Sequence, residues 1–288
     1  MKKKSNIRYM VLAIIVAISY VFFQYLEIPI IELLPRSIVG SSSEDFFNSH
    51  SYLIDTLLCV FLAVFYLIWL GKTSFLQSNN SHHLDGKGAG KATGSMHFSL
   101  NWLLVIIIVA FGISGLAQVW LNFADNYLDK LSIFKSSMDS FDDDWSDVND
   151  NPYIWVLLSV VIIGPLVEEL MFRGLIFGYL EKIKLGAFPI VVSGLMFGIW
   201  HMELVQSIYA IFTGIVLAIV FSYTRNIKIT FAIHMVNNFI STLPPAWDSE
   251  KLQTIIVLIC YGCIIPMIIL SIYFSRKIKR QERSQISA

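Results

Sequence analysis

The sequence has little charge, little cysteine and no internal repeat. Asp, Glu, Lys and Arg make up 15% of its 288 residues, whereas a soluble globular domain carries about a quarter. The 21 basic and 21 acidic residues cancel, so zero net charge gives no bulk attraction to nucleic acid. Of the three cysteines, Cys59 stands alone, and Cys260 and Cys263 lie in an apolar run that favours packing over redox chemistry. The missing repeat leaves an inverted-repeat transporter without support.

Long apolar runs dominate the sequence instead. Hydrophobic residues make up 56% of the chain, and the mean hydropathy is +0.65. Eight runs approach the roughly 20 residues that cross a hydrocarbon core of about 30 Å. They cover approximately residues 9–31, 51–70, 100–123, 152–180, 187–201, 205–223, 227–243 and 252–275. The sequence therefore predicts an all-α, polytopic membrane helix bundle of about eight transmembrane helices, of which the fifth and seventh are short.

Basic residues indicate how these spans are oriented. The first run follows a basic start, but no small-residue cleavage site follows it, so it is interpreted as a retained helix. With the N-terminus in the cytoplasm, sixteen Lys and Arg fall in inner segments and four in outer ones. The prediction is a multi-pass cell-membrane protein, bacterial in character, with both termini cytoplasmic and the lipid bilayer as its surroundings.

The chain divides by the location of its intramembrane polar groups. Residues 1–150 are interpreted as accessory transmembrane helices, with a flexible cytoplasmic linker at 71–98 and an outer acidic loop at 125–152. Residues 151–243 hold nearly all the intramembrane polar residues and are predicted to be the catalytic core. Residues 244–288 supply the last span and a basic cytoplasmic tail.

Four polar residues of the core are predicted to share one depth in the membrane. At about 1.5 Å per residue from the inner turns, Glu168 and His201 lie roughly 20 and 22 Å up their spans. On the same scale His234 and Asn238 lie about 12 and 18 Å up theirs. Intramembrane ionisable groups are costly and usually functional. The four side chains are therefore predicted to line one pocket.

Helical spacing suggests different roles for the charged residues of span four. Glu169 and Arg173 are four residues apart and are predicted to pair, whereas Glu168 points about 100° away and remains free. Pro165 is expected to kink this span and to free a backbone carbonyl. The glycines of 174–178 and 194–198, spaced four apart, predict close helix contacts.

Three interpretations of this polar set remain open from the residues alone. Glu168 and His201 suit a pair that holds and deprotonates water, with His234 and Asn238 donating hydrogen bonds to an oxyanion. Alternatively, Glu168, His201 and His234 form the two-histidine, one-carboxylate ligand set of a catalytic zinc site. The third interpretation is a polar network that joins helices or gates a transporter. Trp200 and Glu203, beside His201, are interpreted as interfacial residues.

Three ordered motifs resemble a known family. EELMFR at 168–173 fits EExxxR, FGIWH at 197–201 fits FxxxH, and HMVNN at 234–238 fits HxxxN. Together they resemble the CPBP family of CAAX prenyl endoproteases and bacteriocin-processing or immunity proteins, also called Abi, over about residues 150–242. The resemblance implies a glutamate-dependent intramembrane endopeptidase of about eight helices, labelled in some members as a metalloprotease.

The resemblance also implies roles and substrates. Glu168 matches the water-activating base and His201 its partner, His234 and Asn238 match the oxyanion-stabilising pair, and Glu169 and Arg173 match supporting residues. The expected substrate is a membrane-associated peptide or protein. The settings are bacteriocin-leader processing or maturation of a peptide signal first, then bacteriocin self-immunity, then a non-catalytic scaffold that regulates a sensor.

Overall fold

The computed structural model describes residues 2–33, 35, 38, 42–73, 75, 100–150, 152–247 and 249–286. These residues form helices connected by turns, without a strand in any of the described ranges. The helices are α1 (Lys2–Tyr25), α2 (Glu27–Glu32), α3 (Ser43–Gly71), α4 (Leu100–Phe123), α5 (Ser132–Asp150), α6 (Tyr153–Glu181), α7 (Phe188–Trp200), α8 (Leu204–Thr224), α9 (Ile227–Ser241) and α10 (Glu250–Ile286). The prediction of an all-α membrane bundle is confirmed.

Within the described ranges, six helices are long and apolar enough to cross a membrane, compared with the eight spans predicted. The fifth and seventh predicted spans form the shorter helices α7 and α9, of 13 and 15 residues. At 1.5 Å per residue these reach only about 20 Å, short of a hydrocarbon core of about 30 Å. Helix α7 ends immediately before His201, so this polar residue lies at the end of the helix.

The predicted acidic loop contains a helix. Residues 132–150 form α5, a 19-residue helix, within the segment that was interpreted from the sequence as a loop. Asp139, Asp142 and Asp143 of this helix are exposed, and Phe141 contacts the aromatic ring of Tyr209 on α8. Nearly all of the predicted linker 71–98 lies outside the described residues, so its flexibility stays a prediction.

Two apolar clusters hold the bundle together. One joins α1, α3, α6 and α7 around Leu62, Tyr66 and Met171, which are fully buried. The other joins α4, α8, α9 and α10 around Val109 and Leu217. Helix α6 belongs to the first cluster and contacts α9 of the second, so its polar residues lie where the two halves meet.

Close helix contacts occur at the predicted glycines. A Cβ at Gly194 would lie 2.8 Å from the backbone nitrogen of Ile215, and one at Gly198 would lie 2.5 Å from the carbonyl of Ser207. Both neighbours are on α8, so α7 and α8 meet backbone to backbone. This contact fixes the end of α7, and with it the position of His201.

The turn between α8 and α9 is specified locally. Arg225 ends α8 in the left-handed region with φ 52°, and its guanidinium pairs with Glu181. The side chain of Asn226 caps α9 by accepting a hydrogen bond from the Lys228 N–H at 3.0 Å. This cap sets where α9 starts, and therefore where His234 lies two turns later.

Candidate active site

A cavity of about 740 Å³ opens at one end of the bundle. Ligand sites in proteins commonly have volumes of roughly 300–1,000 Å³. Its wall includes all four residues predicted to share a depth: Glu168, His201, His234 and Asn238. The prediction that residues far apart in sequence meet in one pocket is confirmed.

Helix α6 reaches the cavity through two π-helical stretches, Leu157–Ile163 and Leu170–Ile176. Such stretches are rare and occur frequently at functional sites. They lie on either side of the turn Gly164–Glu169, which carries both glutamates. The wider turns rotate the helix faces relative to a regular α-helix, so regular spacing predicts only approximately where each side chain points.

Pro165 leaves a carbonyl free at the end of the first π-helical stretch. The Gly164 N–H bonds to the carbonyl of Ser159, five residues back. In this register the next donor, to Val160, would be residue 165, and proline has no N–H. The Asn238 Nδ2 supplies the missing bond by donating to the Val160 carbonyl at 2.8 Å. The predicted free carbonyl thus exists, and it fixes an active-site amide.

Asn238 is also held from its other side. Its Oδ1 accepts a hydrogen bond from Asn237 Nδ2 at 3.1 Å. Asn237 in turn accepts at Oδ1 from the Ser114 hydroxyl on α4, at 2.9 Å. These contacts determine which end of the Asn238 amide is nitrogen, and one of its two amide hydrogens is used on Val160. Sequence reasoning missed Asn237 and Ser114, although Asn237 stands beside the motif asparagine.

The predicted Glu169–Arg173 pair is present in the dry interior beside the cavity. The guanidinium nitrogen lies 2.9 Å from the carboxylate, and the two side chains are 1% and 0% exposed. A second guanidinium nitrogen of Arg173 donates to the Gly214 carbonyl on α8 at 3.2 Å. The guanidinium also lies 4.8 Å from the centre of the Phe197 ring. This pair therefore joins α6, α7 and α8.

His234 lies between the two adjacent carboxylates. Its Nδ1 is 3.2 Å from Glu169 Oε1, and its Nε2 is 3.7 Å from Glu168 Oε2. An ionised carboxylate only accepts hydrogen bonds, so Nδ1 donates to Glu169. The ring is 4% exposed and packs edge-on against Phe197. Glu169 thus orients an imidazole as well as an arginine.

His201 follows the last residue of α7, and its tautomer is determined by one contact. Its Nδ1 lies 2.8 Å from the Phe197 carbonyl, which can only accept a hydrogen bond. The proton of the neutral ring is therefore on Nδ1, and Nε2 keeps its lone pair. The rings of Phe197 and Trp200 hold the imidazole at 4.9 and 5.3 Å between centres. His201 is thus prepared to accept a proton or a hydrogen bond at Nε2.

Glu168 differs from Glu169 in its access to the cavity. Its side chain is 15% exposed and lies on the cavity wall, whereas Glu169 is 0% exposed. Oε2 of each glutamate is buried without a hydrogen-bond partner among the described residues, which is costly. Of these two oxygens, that of Glu168 lies where a water molecule or a substrate group can reach it.

The alternative zinc ligands do not converge on one point. Glu168, His201 and His234 all line the cavity, but across the described ranges no group of three His, Cys, Asp or Glu side chains is placed to hold a metal ion. The Nδ1 of His201 faces a carbonyl and that of His234 faces Glu169, which leaves both Nε2 atoms free. This orientation is common among metal-bound histidines, so the donor chemistry suits zinc, and the fit fails only on the placement of the three side chains.

The segment predicted to be accessory also contributes to the cavity. Its polar wall residues include Tyr20 and Gln24 on α1, Asp55 on α3 and Gln118 on α4. Sequence reasoning treated these spans as nearly apolar and missed all four. Asp55, an acidic residue within an apolar run, was the signal that could have found them.

The two residues beside His201 that were interpreted as interfacial both make contacts inside the protein. Trp200 lines the cavity, its Nε1 is buried, and its ring packs edge-on against Tyr20 at 4.6 Å. Glu203 accepts hydrogen bonds from Ser137 and Ser140 of α5 at 3.0 and 3.1 Å. Glu203 therefore holds α5 against the start of α8, close to the cavity mouth.

Comparison with known proteins identifies the same part of the chain. Residues 150–240 match the family described as type II CAAX prenyl endopeptidase Rce1-like. A protein of Bacillus subtilis (strain 168) described as a candidate membrane peptidase, YdiL, is 32% identical over 80 residues. That match covers 27% of this chain and 33% of the other protein. No solved structure matches the chain significantly.

The matched segment runs from the start of α6 almost to the end of α9. It contains the three motifs and every residue that connects Glu168, Glu169 and His234. Sequence motif, geometry and family comparison thus agree on one region. Through residues 150–240, about a third of its length, the chain is similar to the type II CAAX prenyl endopeptidase family.

Proposed function

We propose that this protein is an intramembrane endopeptidase in which Glu168 activates water for attack on a peptide bond. The unpartnered Oε2 of Glu168 on the wall of a 740 Å³ cavity carries the proposal. A general base needs a free carboxylate within reach of water and substrate, and Glu168 is the only glutamate of the motif that has one. Glu169 is already engaged by Arg173 and His234.

The proposed reaction uses the side chains as they are oriented. Water held between the Glu168 carboxylate and the lone pair of His201 Nε2 attacks the peptide carbonyl carbon while Glu168 takes its proton. With His234 protonated on both ring nitrogens, its Nε2–H and the remaining amide hydrogen of Asn238 stabilise the resulting oxyanion. Collapse breaks the C–N bond, and Glu168 returns the proton to the departing amine.

The test is hydrolysis of a quenched peptide panel by purified protein in lipid, comparing the wild type with Glu168→Gln. Loss of the base should lower kcat/KM by about 10²- to 10⁴-fold. The matched control is Glu250→Gln, which removes the same charge from the exposed start of α10 and should hydrolyse peptides like the wild type. Each assay is run with and without a chelator, because loss of activity that zinc restores would overturn the metal-free reaction.

One outcome would favour the non-catalytic alternative. If wild type and Glu168→Gln are equally inert on every peptide, and the variant still supports the cellular phenotype, the chain is a membrane scaffold instead. Prenylated and unprenylated peptides are both included, since the family description names CAAX prenyl endopeptidases.

The proposed substrate is a membrane-associated peptide that reaches the cavity from outside the cell. The cavity lies at the end of the bundle where α1, α7 and α9 end and α3, α6 and α8 begin. Basic residues such as Lys72, Lys182 and Arg225 lie at the other end, which the charge rule places in the cytoplasm. An outward-facing cavity suits leader processing of an exported bacteriocin or maturation of a peptide signal, with self-immunity as the second setting.

Cysteine labelling tests this orientation. In a variant that lacks Cys59, Cys260 and Cys263, Ser249→Cys at the cavity end should react with a membrane-impermeant maleimide on intact cells. Ala187→Cys at the other end should react only after lysis, and both positions are exposed. The reverse pattern would turn the cavity to the cytoplasm and overturn the exported substrate, while the peptidase proposal would stand.

A further inference from the structure

The cavity has a second acidic region, away from the motif residues. Asp55 of α3 and Gln24 of α1 lie on its wall. Glu27, the first residue of α2, lies within electrostatic range of Asp55 but is not among the described residues that line the cavity. Glu27 is only 8% exposed, and its Oε1 is buried without a hydrogen-bond partner among the described residues. One end of the cavity thus has a carboxyl group and an amide on its wall and a second carboxyl group buried behind them.

No described basic residue pairs with this acidic region, since neither Asp55 nor Glu27 forms an ion pair in the part of the chain that the structure describes. Glu169, by contrast, is neutralised by Arg173 at 2.9 Å. Leaving buried carboxylates unpaired is costly. A positively charged ligand would offset that cost.

The acidic region and the catalytic glutamate belong to one continuous surface. Tyr20 and Cys59, whose side chains lie 3.9 Å apart, line the cavity between them. Both residues are within electrostatic range of Asp55 and of Glu168. A peptide placed with its scissile bond at Glu168 therefore extends naturally along Tyr20 toward Asp55.

The residues around the mouth of the cavity include further acidic side chains. Helix α5 holds exposed Asp142 and Asp143 beside Asp139, which pairs with Lys135 at 3.8 Å, and its Phe141 lines the cavity. An acidic rim raises the local concentration of cationic ligands. A bare metal ion does not suit the acidic region, since no group of three ligating side chains is placed for one anywhere in the described ranges. An ammonium or guanidinium group suits carboxylates and amide oxygens.

We propose that Asp55, supported by Glu27, determines substrate specificity by binding a cationic group of the peptide, either a Lys or Arg side chain or a free amino terminus. This inference rests on the proposed peptidase function and adds the substrate class to it. The carboxylate of Asp55 accepts the hydrogen bonds of the cation, while Glu27 contributes the second negative charge from behind. Glu168 remains the group that acts on the bond.

The experiment separates binding from cleavage. A series of peptides carries a single Lys in place of norleucine at successive positions, each with a free or an acetylated amino terminus. Wild-type protein in lipid should cleave at least one cationic peptide with a kcat/KM at least tenfold above its neutral twin. The position of the preferred charge identifies a side chain, and sensitivity to acetylation identifies the amino terminus.

The substitutions assign this preference to residues. Asp55→Asn should lower the cationic-to-neutral ratio of kcat/KM at least tenfold, mainly through KM, and Glu27→Gln should lower it by a smaller factor. Glu32→Gln, which removes an exposed carboxylate from the same short helix, should keep the wild-type ratio. Asp55→Lys should reverse the preference toward peptides that carry Glu, a result that general loss of structure cannot produce.

Binding of peptides to the Glu168→Gln variant distinguishes failure of the proposed cation site from failure of the proposed peptidase function. Fluorescence anisotropy should give cationic peptides a dissociation constant at least tenfold lower, with the advantage lost in the double variant with Asp55→Asn. Cleavage without any charge preference in wild type would overturn this inference and leave the peptidase intact. A charge preference in binding without cleavage of any peptide would overturn the peptidase and keep the cation site.

Discussion

The two faces of α6 carry adjacent glutamates in opposite environments. On one face Glu169 is fully buried, paired with Arg173 and in contact with His234. On the other face Glu168 borders an open cavity with an oxygen that has no partner among the described residues. Oε2 of both glutamates lacks a hydrogen-bond partner among the described residues, but Glu169 is held in an ion pair in the dry interior, whereas Glu168 faces the cavity. Adjacent residues of the same type thus serve separate purposes.

The comparison shows how a membrane protein keeps a reactive carboxylate in place. Arg173 neutralises Glu169 and reaches Gly214 on α8, so one ion pair fixes the relative positions of three helices. The same arrangement positions Glu168, which makes none of these contacts itself. Substitutions on the two faces should therefore differ in kind, with loss of stability on one face and loss of activity on the other.

The largest effect on stability is expected from Arg173→Met. It leaves Glu169 buried without its counter-ion and should lower the free energy of unfolding by about 3–5 kcal/mol. The midpoint of thermal unfolding in mixed micelles measures this change. Glu168→Gln is the matched comparison, with an expected change below about 1 kcal/mol, because its Oε2 makes no hydrogen bond with the described residues.

A double variant sharpens the same point. Replacing the pair together, as Glu169→Leu with Arg173→Met, should restore much of the lost stability, because no buried charge is left unpaired. It should not restore peptide hydrolysis, since His234 then lacks the acceptor that orients it. If the double variant were as unstable as Arg173→Met alone, the pair would not be the source of the stability.

A smaller effect is expected where α7 meets α8. In Gly198→Ala the new Cβ would lie 2.5 Å from the Ser207 carbonyl and 2.7 Å from the Ile211 nitrogen, both backbone atoms. The helices must separate, which should cost about 1–3 kcal/mol. Because His201 directly follows α7, hydrolysis should fall as well. This substitution should therefore lower both stability and activity. Thermal unfolding and kcat/KM are measured on the same preparation.

Gly262→Ala provides the control for this prediction. Gly262 lies inside α10, and a Cβ there would meet nothing within 4 Å. Replacing a helical glycine in open space should stabilise the protein by about 0.5–1 kcal/mol. Equal destabilisation by Gly198→Ala and Gly262→Ala would mean that close approach of α7 and α8 is not what Gly198 provides.

The sequence was sufficient for much of the core. Spacing within a helix predicted the Glu169–Arg173 pair, and depth along the spans predicted that Glu168, His201 and His234 share one cavity. Both inferences use only the rise and the turn of a helix. The carbonyl freed by Pro165 was also predicted, because the missing N–H is a property of proline itself.

The rest depended on contacts between distant segments. The partner of the freed carbonyl, Asn238, follows Val160 by 78 residues, and local spacing does not indicate that the two residues meet. The π-helical stretches of α6 change the register without a recognisable sequence signal. Asp55 was visible as a charge in an apolar run, but its place on the cavity wall depends on how α3 packs against α6.

The spacing of Glu169 and Arg173 also matters during biosynthesis. A charged residue at the centre of a nascent span opposes its insertion by about 2.5–3.5 kcal/mol. Because the two residues are four apart on one helix, they can neutralise each other as soon as α6 forms. His234 and Gly214 are translated only later. The span that carries the reactive glutamate can thus enter the bilayer with only one uncompensated charge, before the helices that complete the site exist.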